Sequence, residues 1–93
     1  MSQRISFKVK GKVQGVCFRA YAKEQARSLG VTGFVRNASD GTVVGEAQGK
    51  RDSLDKFVGF LKEGPPAARV AGVDQDELSV RDGERSFEQA RTA

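Results

Sequence analysis

A two-layer α+β sandwich, with two helices on one face of a mainly antiparallel sheet, is the architecture that this 93-residue sequence predicts. Three features carry that expectation. Segments alternating apolar and polar residues are interleaved with two segments of helical period, and glycine, proline and aspartate punctuate the joins. A hydrophobic content of 38% is enough for one core and little more, so residues 1–93 are expected to form one domain.

The elements follow in order. Arg4-Ile5-Ser6-Phe7-Lys8-Val9-Lys10 alternates strictly, which predicts a half-buried strand with Ile5, Phe7 and Val9 facing the core and Arg4, Ser6, Lys8 and Lys10 facing solvent. Phe18, Ala22, Ala26 and Leu29 then recur at helical spacing, and Gly30 supplies a stop. Gly33 to Asn37 and Thr42 to Ala47 flank the turn signal Asp40-Gly41 and predict a hairpin, in which Gly45 weakens the second strand or marks a close approach. Asp52 is the expected cap of a second helix carrying the stripe Leu54, Phe57, Val58 and Leu61, ended by Gly64-Pro65-Pro66. Val70 and Val73 suggest a further short strand, and Phe87 a weaker last one after the turn-like Arg81 to Glu84. Both helical stripes and the apolar sheet face are buried together only if the helices share one face. The result is the β-α-β-β-α-β, ferredoxin-like sandwich, a topology compatible with many functions.

Composition narrows the chemistry. Lys and Arg number 16 against 12 Asp and Glu, a net charge of +4 that favours an anionic partner or serves only solubility. There is no histidine and one cysteine, so neither an intrachain disulfide nor a conventional structural zinc set is expected. No segment reads as a signal peptide and no apolar run approaches the ~18 residues of a membrane span. A cytoplasmic protein without membrane attachment is the expectation.

The run Gly11-Lys12-Val13-Gln14-Gly15-Val16-Cys17-Phe18-Arg19 is the most informative. Glycines let a loop curl so that several N–H groups aim at one point, and that point favours an anion. Arg19 falls in the first helical turn, where a cation opposes the helix dipole unless an anion sits between them. Its planar fork suits phosphate oxygens. A solvent-facing arginine after an ordinary turn is the alternative. Asn37, at the end of a strand, can orient a water without acting as a base, or can bond its own turn backbone.

These two stretches resemble the signatures of the acylphosphatases, a resemblance that extends over nearly the whole chain. The first signature has a glycine, a variable residue, Val-Gln-Gly-Val, another variable residue, an aromatic and Arg, and it fits Gly11 through Arg19. The second fits Gly33-Phe34-Val35-Arg36-Asn37-Ala38-Ser39-Asp40-Gly41-Thr42-Val43. The resemblance implies a ferredoxin-like fold and hydrolysis of an acyl phosphate to a carboxylate and inorganic phosphate, with phosphate as product and inhibitor. It also implies that Arg19 binds the phosphoryl group with the loop amides of Gly15, Val16, Cys17 and Phe18, while Asn37 positions the attacking water.

Because a carboxylate is a good leaving group, such a reaction needs alignment and charge stabilisation more than a general acid, so the missing histidine is no obstacle. No cofactor or metal is expected, and a monomer is. Cys17 is expected to pack in the loop or to have no role. It lies too close to Arg19 for a cysteine-phosphatase loop and has no histidine to activate it. Tyr21 and Lys23 either shape the entrance or belong to a solvated helix face. A nucleic-acid-binding module is disfavoured because Phe7 falls on the core face, leaving the outer face without a stacking platform. A structural or regulatory domain keeping the fold without turnover is the other class, separable by phosphate release from a simple acyl phosphate.

Overall fold

The alternation near the amino terminus becomes β1 (Ser2–Lys12), followed by α1 (Phe18–Ser28), β2 (Thr32–Asn37), β3 (Val43–Lys50), α2 (Arg51–Glu63), β4 (Arg69–Leu78) and a short β5 (Phe87–Gln89). The computed structural model describes residues 2–91. Met1, Thr92 and Ala93, part of the domain expected over 1–93, lie outside the described residues. The sheet order is β4-β1-β3-β2-β5, antiparallel throughout except for β2 beside β5, which is parallel. This is the expected ferredoxin-like arrangement with one added edge strand. Among the described residues no helix is long and apolar enough to cross a membrane.

The helices bury the stripes that their spacing predicted. Phe18, Ala22 and Ala26 of α1 and Leu54, Phe57, Val58 and Leu61 of α2 are buried, the small residues of α1 permitting close approach to the sheet. Phe57 makes edge contacts with Phe7 of β1 at 5.7 Å and with Phe87 of β5 at 5.4 Å between ring centroids. At the end of α1 the amides of Gly30 and Val31 donate to the carbonyls of Arg27 and Ala26, which closes the helix with buried Val31 over Ala26. Gly45 marks a close approach. A Cβ there would stand 2.1 Å from the Phe34 carbonyl oxygen and 2.6 Å from Cζ of Phe7, so the missing side chain makes room for that ring.

Three expectations are corrected. Asp52 does not cap α2: β3 runs directly into the helix, the cap position is Lys50 in extended conformation, and Asp52 contributes only its charge to the first turn. β4 is not short. Its ladder with β1 continues past the apolar residues to Leu78, because main-chain pairing does not require apolar side chains on an edge.

Arg4, expected in solvent, is 2% exposed. The segment after β4 folds over the outer face of the sheet, and the guanidinium meets Glu46 at 2.8 Å, Gln48 at 3.1 Å and Glu84 at 2.9 and 3.2 Å. A buried cation is tolerable only with such saturation. Burial opposes ionisation of Glu84, but the hydrogen bond and charge of Arg4 outweigh it and hold that carboxyl below the ordinary 4.5.

A carboxyl with a depressed folded-state pKa lends stability that is complete above its unfolded value and lost as pH falls through the folded one. The melting temperature should therefore drop on acidification below the ordinary carboxyl value of 4.5. Glu84→Gln should lower neutral-pH stability by about 1–3 kcal/mol and flatten that acid slope. Parallel acid slopes for the two proteins would show that Glu84 carries none of it.

Candidate active site

Residues 13–17 connect β1 to α1, and the connection is anchored at both ends. Val13 is buried beneath it, and Phe18, the first helical residue, is buried against Phe60 of α2 with ring centroids 6.0 Å apart. Between these anchors the chain curls through two left-handed positions, Gly15 at φ 72° and Cys17 at φ 59°. Only the second carries a side chain there, at a cost of roughly 1–2 kcal/mol. Gly11 plays a different part from the loop role expected of it. It lies within β1, where the register against β4 shifts, and a Cβ on it would sit 2.2 Å from the Arg69 carbonyl oxygen. That glycine serves the sheet.

Cys17 is exposed rather than packed within the loop, and it occupies the cap position of α1 without a side-chain cap, while the first turn holds no acidic residue. The leading amides of an α-helix lack intrahelical acceptors, so those of Phe18, Arg19 and Ala20 are available to a ligand. Arg19 is half-buried beside them. One of its terminal nitrogens donates to the Ala90 carbonyl at 3.4 Å, and the rest of its fork has no partner among the described residues. Donors and positive charge thus accumulate where nothing in the described chain answers them.

A cavity of about 330 Å³ opens at this point, with Gly15, Cys17, Phe18 and Arg19 on one wall and Asn37 and Gln89 on the other. Arg19 and Asn37, 18 positions apart in sequence, share it because β2 ends beside the start of α1. Val16 does not line this cavity, and its side chain packs toward the core. A hollow of about 250 Å³ between α2 and β4 faces Asp55, Asp76 and Glu77 against the single cation Arg51, a balance that repels phosphate. Among the described residues no three His, Cys, Asp or Glu side chains group as metal ligands.

The turn role considered for Asn37 belongs to another residue. Oδ1 of Asp40 accepts from the Thr42 amide at 3.1 Å and from the Thr42 hydroxyl at 2.6 Å. Those bonds, the hydroxyl first, then Lys8, pull the Asp40 carboxyl down to about 2. The side chain of Asn37 makes no hydrogen bond among the described residues and stays free at the cavity wall. Two neighbours were not singled out from the sequence. Gln14 Nε2 donates to the carbonyls of Ala38 at 2.8 Å and Thr42 at 2.9 Å, tying the curled loop to the hairpin that carries Asn37. Its place between Val13 and Gly15 signalled a polar group in a tight loop but gave no partner. Gln89 reaches the cavity only through the parallel pairing of β5.

Comparison with known proteins gives a consistent result. A family model described as acylphosphatase matches residues 5–89. An acylphosphatase from Shewanella amazonensis is 51% identical over 75 residues, which cover 81% of this chain and 82% of that protein. The solved structure of an acylphosphatase from Coxiella burnetii superimposes with a TM-score of 0.91 at 40% identity, covering 96% of this chain and 93% of that one. For the acylphosphatase from Bacillus subtilis the TM-score is 0.90 at 31% identity, covering 97% and 99%.

The Gln14 bridge has a measurable consequence. Gln14→Ala should lower stability by about 1–3 kcal/mol, since two carbonyls lose a donor. It should also weaken binding of inorganic phosphate in calorimetric titration, because the loop and the hairpin lose their registration. Unchanged phosphate affinity would confine Gln14 to the scaffold.

Proposed function

The chain belongs to the acylphosphatase family and hydrolyses acyl phosphates, and from that premise we propose that Arg19 and the curled-loop amides hold the phosphoryl group while Asn37 orients the attacking water. The observation that carries these assignments is the convergence of an uncapped helix start, a guanidinium with free donors and an unengaged carboxamide on one cavity.

The reaction needs little else. The amides of Gly15, Val16, Cys17 and Phe18, with Arg19, neutralise charge on the non-bridging oxygens, and these donors are oriented before substrate arrives. Water held by the Asn37 carboxamide attacks phosphorus in line with the departing carboxylate. As the new P–O bond forms, the P–O bond to the acyl group breaks and its electron pair leaves on the carboxylate. The water proton passes to a phosphate oxygen or to solvent, since neither Asn37 nor Arg19 accepts it. Within the same reading, residues 1–93 act as one acylphosphatase-like domain, monomeric and cytoplasmic, with no metal. Chelation should accordingly leave turnover unchanged.

Two variants test the division of labour. Arg19→Lys keeps the charge but not the planar fork, so kcat/KM should fall by about 10²-fold or more and phosphate inhibition should weaken. Wild-type kinetics in that folded variant would remove bidentate recognition at Arg19.

Asn37→Ala should keep its melting temperature and much of its phosphate affinity while kcat drops by about 10²-fold, the scale of losing one aligned transition-state contact. A stable and fully active Asn37→Ala enzyme would take Asn37 out of the chemistry.

A further inference from the structure

Beside the phosphoryl cavity lies a second hollow of about 300 Å³, at the lower end of the ~300–1,000 Å³ typical of small-molecule sites. Gly15 and Cys17 line both spaces, so the curled loop is their common rim. Beyond the rim the walls differ. The first space holds Arg19 and Asn37, whereas the second is walled by Val16, Tyr21, Pro65, Pro66 and Ala67, with no charged side chain.

We propose that this second hollow is the acyl subsite, taking the apolar part of the substrate and favouring aromatic or branched acyl groups over acetyl. The inference rests on the assignment of the first cavity to the phosphoryl group. In-line displacement requires the acyl oxygen to depart on the side of phosphorus opposite the attacking water. Asn37 belongs to the first space alone, so a leaving group directed away from it crosses the Gly15–Cys17 rim into the second.

The walls suit an apolar occupant. Tyr21 stands one helical turn beyond Cys17, its amide bonded to the Cys17 carbonyl at 3.1 Å, and its side chain is 43% exposed, a large aromatic left open at the site. The facing wall is fixed: Pro65 is buried, the Ala68 amide closes a turn onto the Pro65 carbonyl at 2.9 Å, and α2 is held to α1 through Phe60 and Phe18. An aromatic face opposite prolines can enclose a flat acyl group while asking nothing of acetyl.

The experiment compares kcat/KM for benzoyl phosphate and acetyl phosphate. Their intrinsic leaving-group difference cancels when the benzoyl-to-acetyl ratio of a variant is divided by that of the wild type. Tyr21→Ser should lower the ratio about tenfold with acetyl phosphate changed less than about twofold, the scale of a lost apolar pocket contact, whereas Tyr21→Phe should retain it. Pro66→Ser, at an exposed position on the opposite wall, supplies a second variant that does not burden the core. A lowered ratio in either serine variant supports the acyl subsite. An unchanged ratio in both, or equal loss on the two substrates, overturns it. Failure of the phosphoryl assignment reads differently, as retention of activity on acetyl phosphate by Arg19→Lys.

Discussion

The packing of Phe57 between Phe7 and Phe87 is the contact on which the rest of the molecule depends. It is the point where α2 touches both a central strand and the far edge of the sheet, and it joins residues 50 and 30 positions apart in sequence. Three rings in edge contact fill a volume that aliphatic side chains would fill less specifically. Space for Phe7 requires Gly45 to be bare. The three-residue strand β5 gains its main anchor from Phe87, and the amide of Ala90, just past that strand, donates to the Val35 carbonyl at 2.7 Å. Arg19 reaches the carbonyl of the same Ala90. A core contact thereby sets the segment against which the Arg19 guanidinium rests.

Function follows from how few moving parts remain. The curled loop is held at Val13 and Phe18 and bridged to the hairpin by Gln14, so in the proposed reaction its amides need not reorganise when charge develops on a phosphoryl oxygen. In the proposed mechanism fixed dipoles and one permanent cation stand in place of an acid or a base, an arrangement suited to leaving groups that depart without a proton.

Much of this was legible in the sequence, and what was not has a common cause. The helical stripes and the alternation of β1 report a local period, and burial followed it at Phe18, Ala22, Leu54 and Phe57. The residues of the Gly11 to Arg19 run left a solvent-facing arginine open as an alternative, and it was the match of two stretches to the acylphosphatase signatures that singled out Arg19 and Asn37. Arg4 was misassigned because its partners Glu46 and Glu84 lie 42 and 80 residues away, and a period of two says which face a side chain takes but not what folds over that face. Gln14 was passed over for the same reason, its acceptors being backbone atoms 24 and 28 residues on. Asp52 was misread because a cap presupposes a linker, and β3 meets α2 without one.

The polar second half of β4 bears on how the protein stays dispersed. At ten residues β4 is a long edge strand, a natural template for a foreign chain. Asp74, Asp76 and Glu77 lie along it, and of these Asp74 alone has a lysine partner among the described residues, Lys10 at 2.7 Å. A strand docking there would desolvate unpaired carboxylates as it formed its ladder, so recruitment into intermolecular sheets is discouraged where the backbone is most available. The composition that conceals β4 from a periodicity search also guards the open end of the sheet against aggregation.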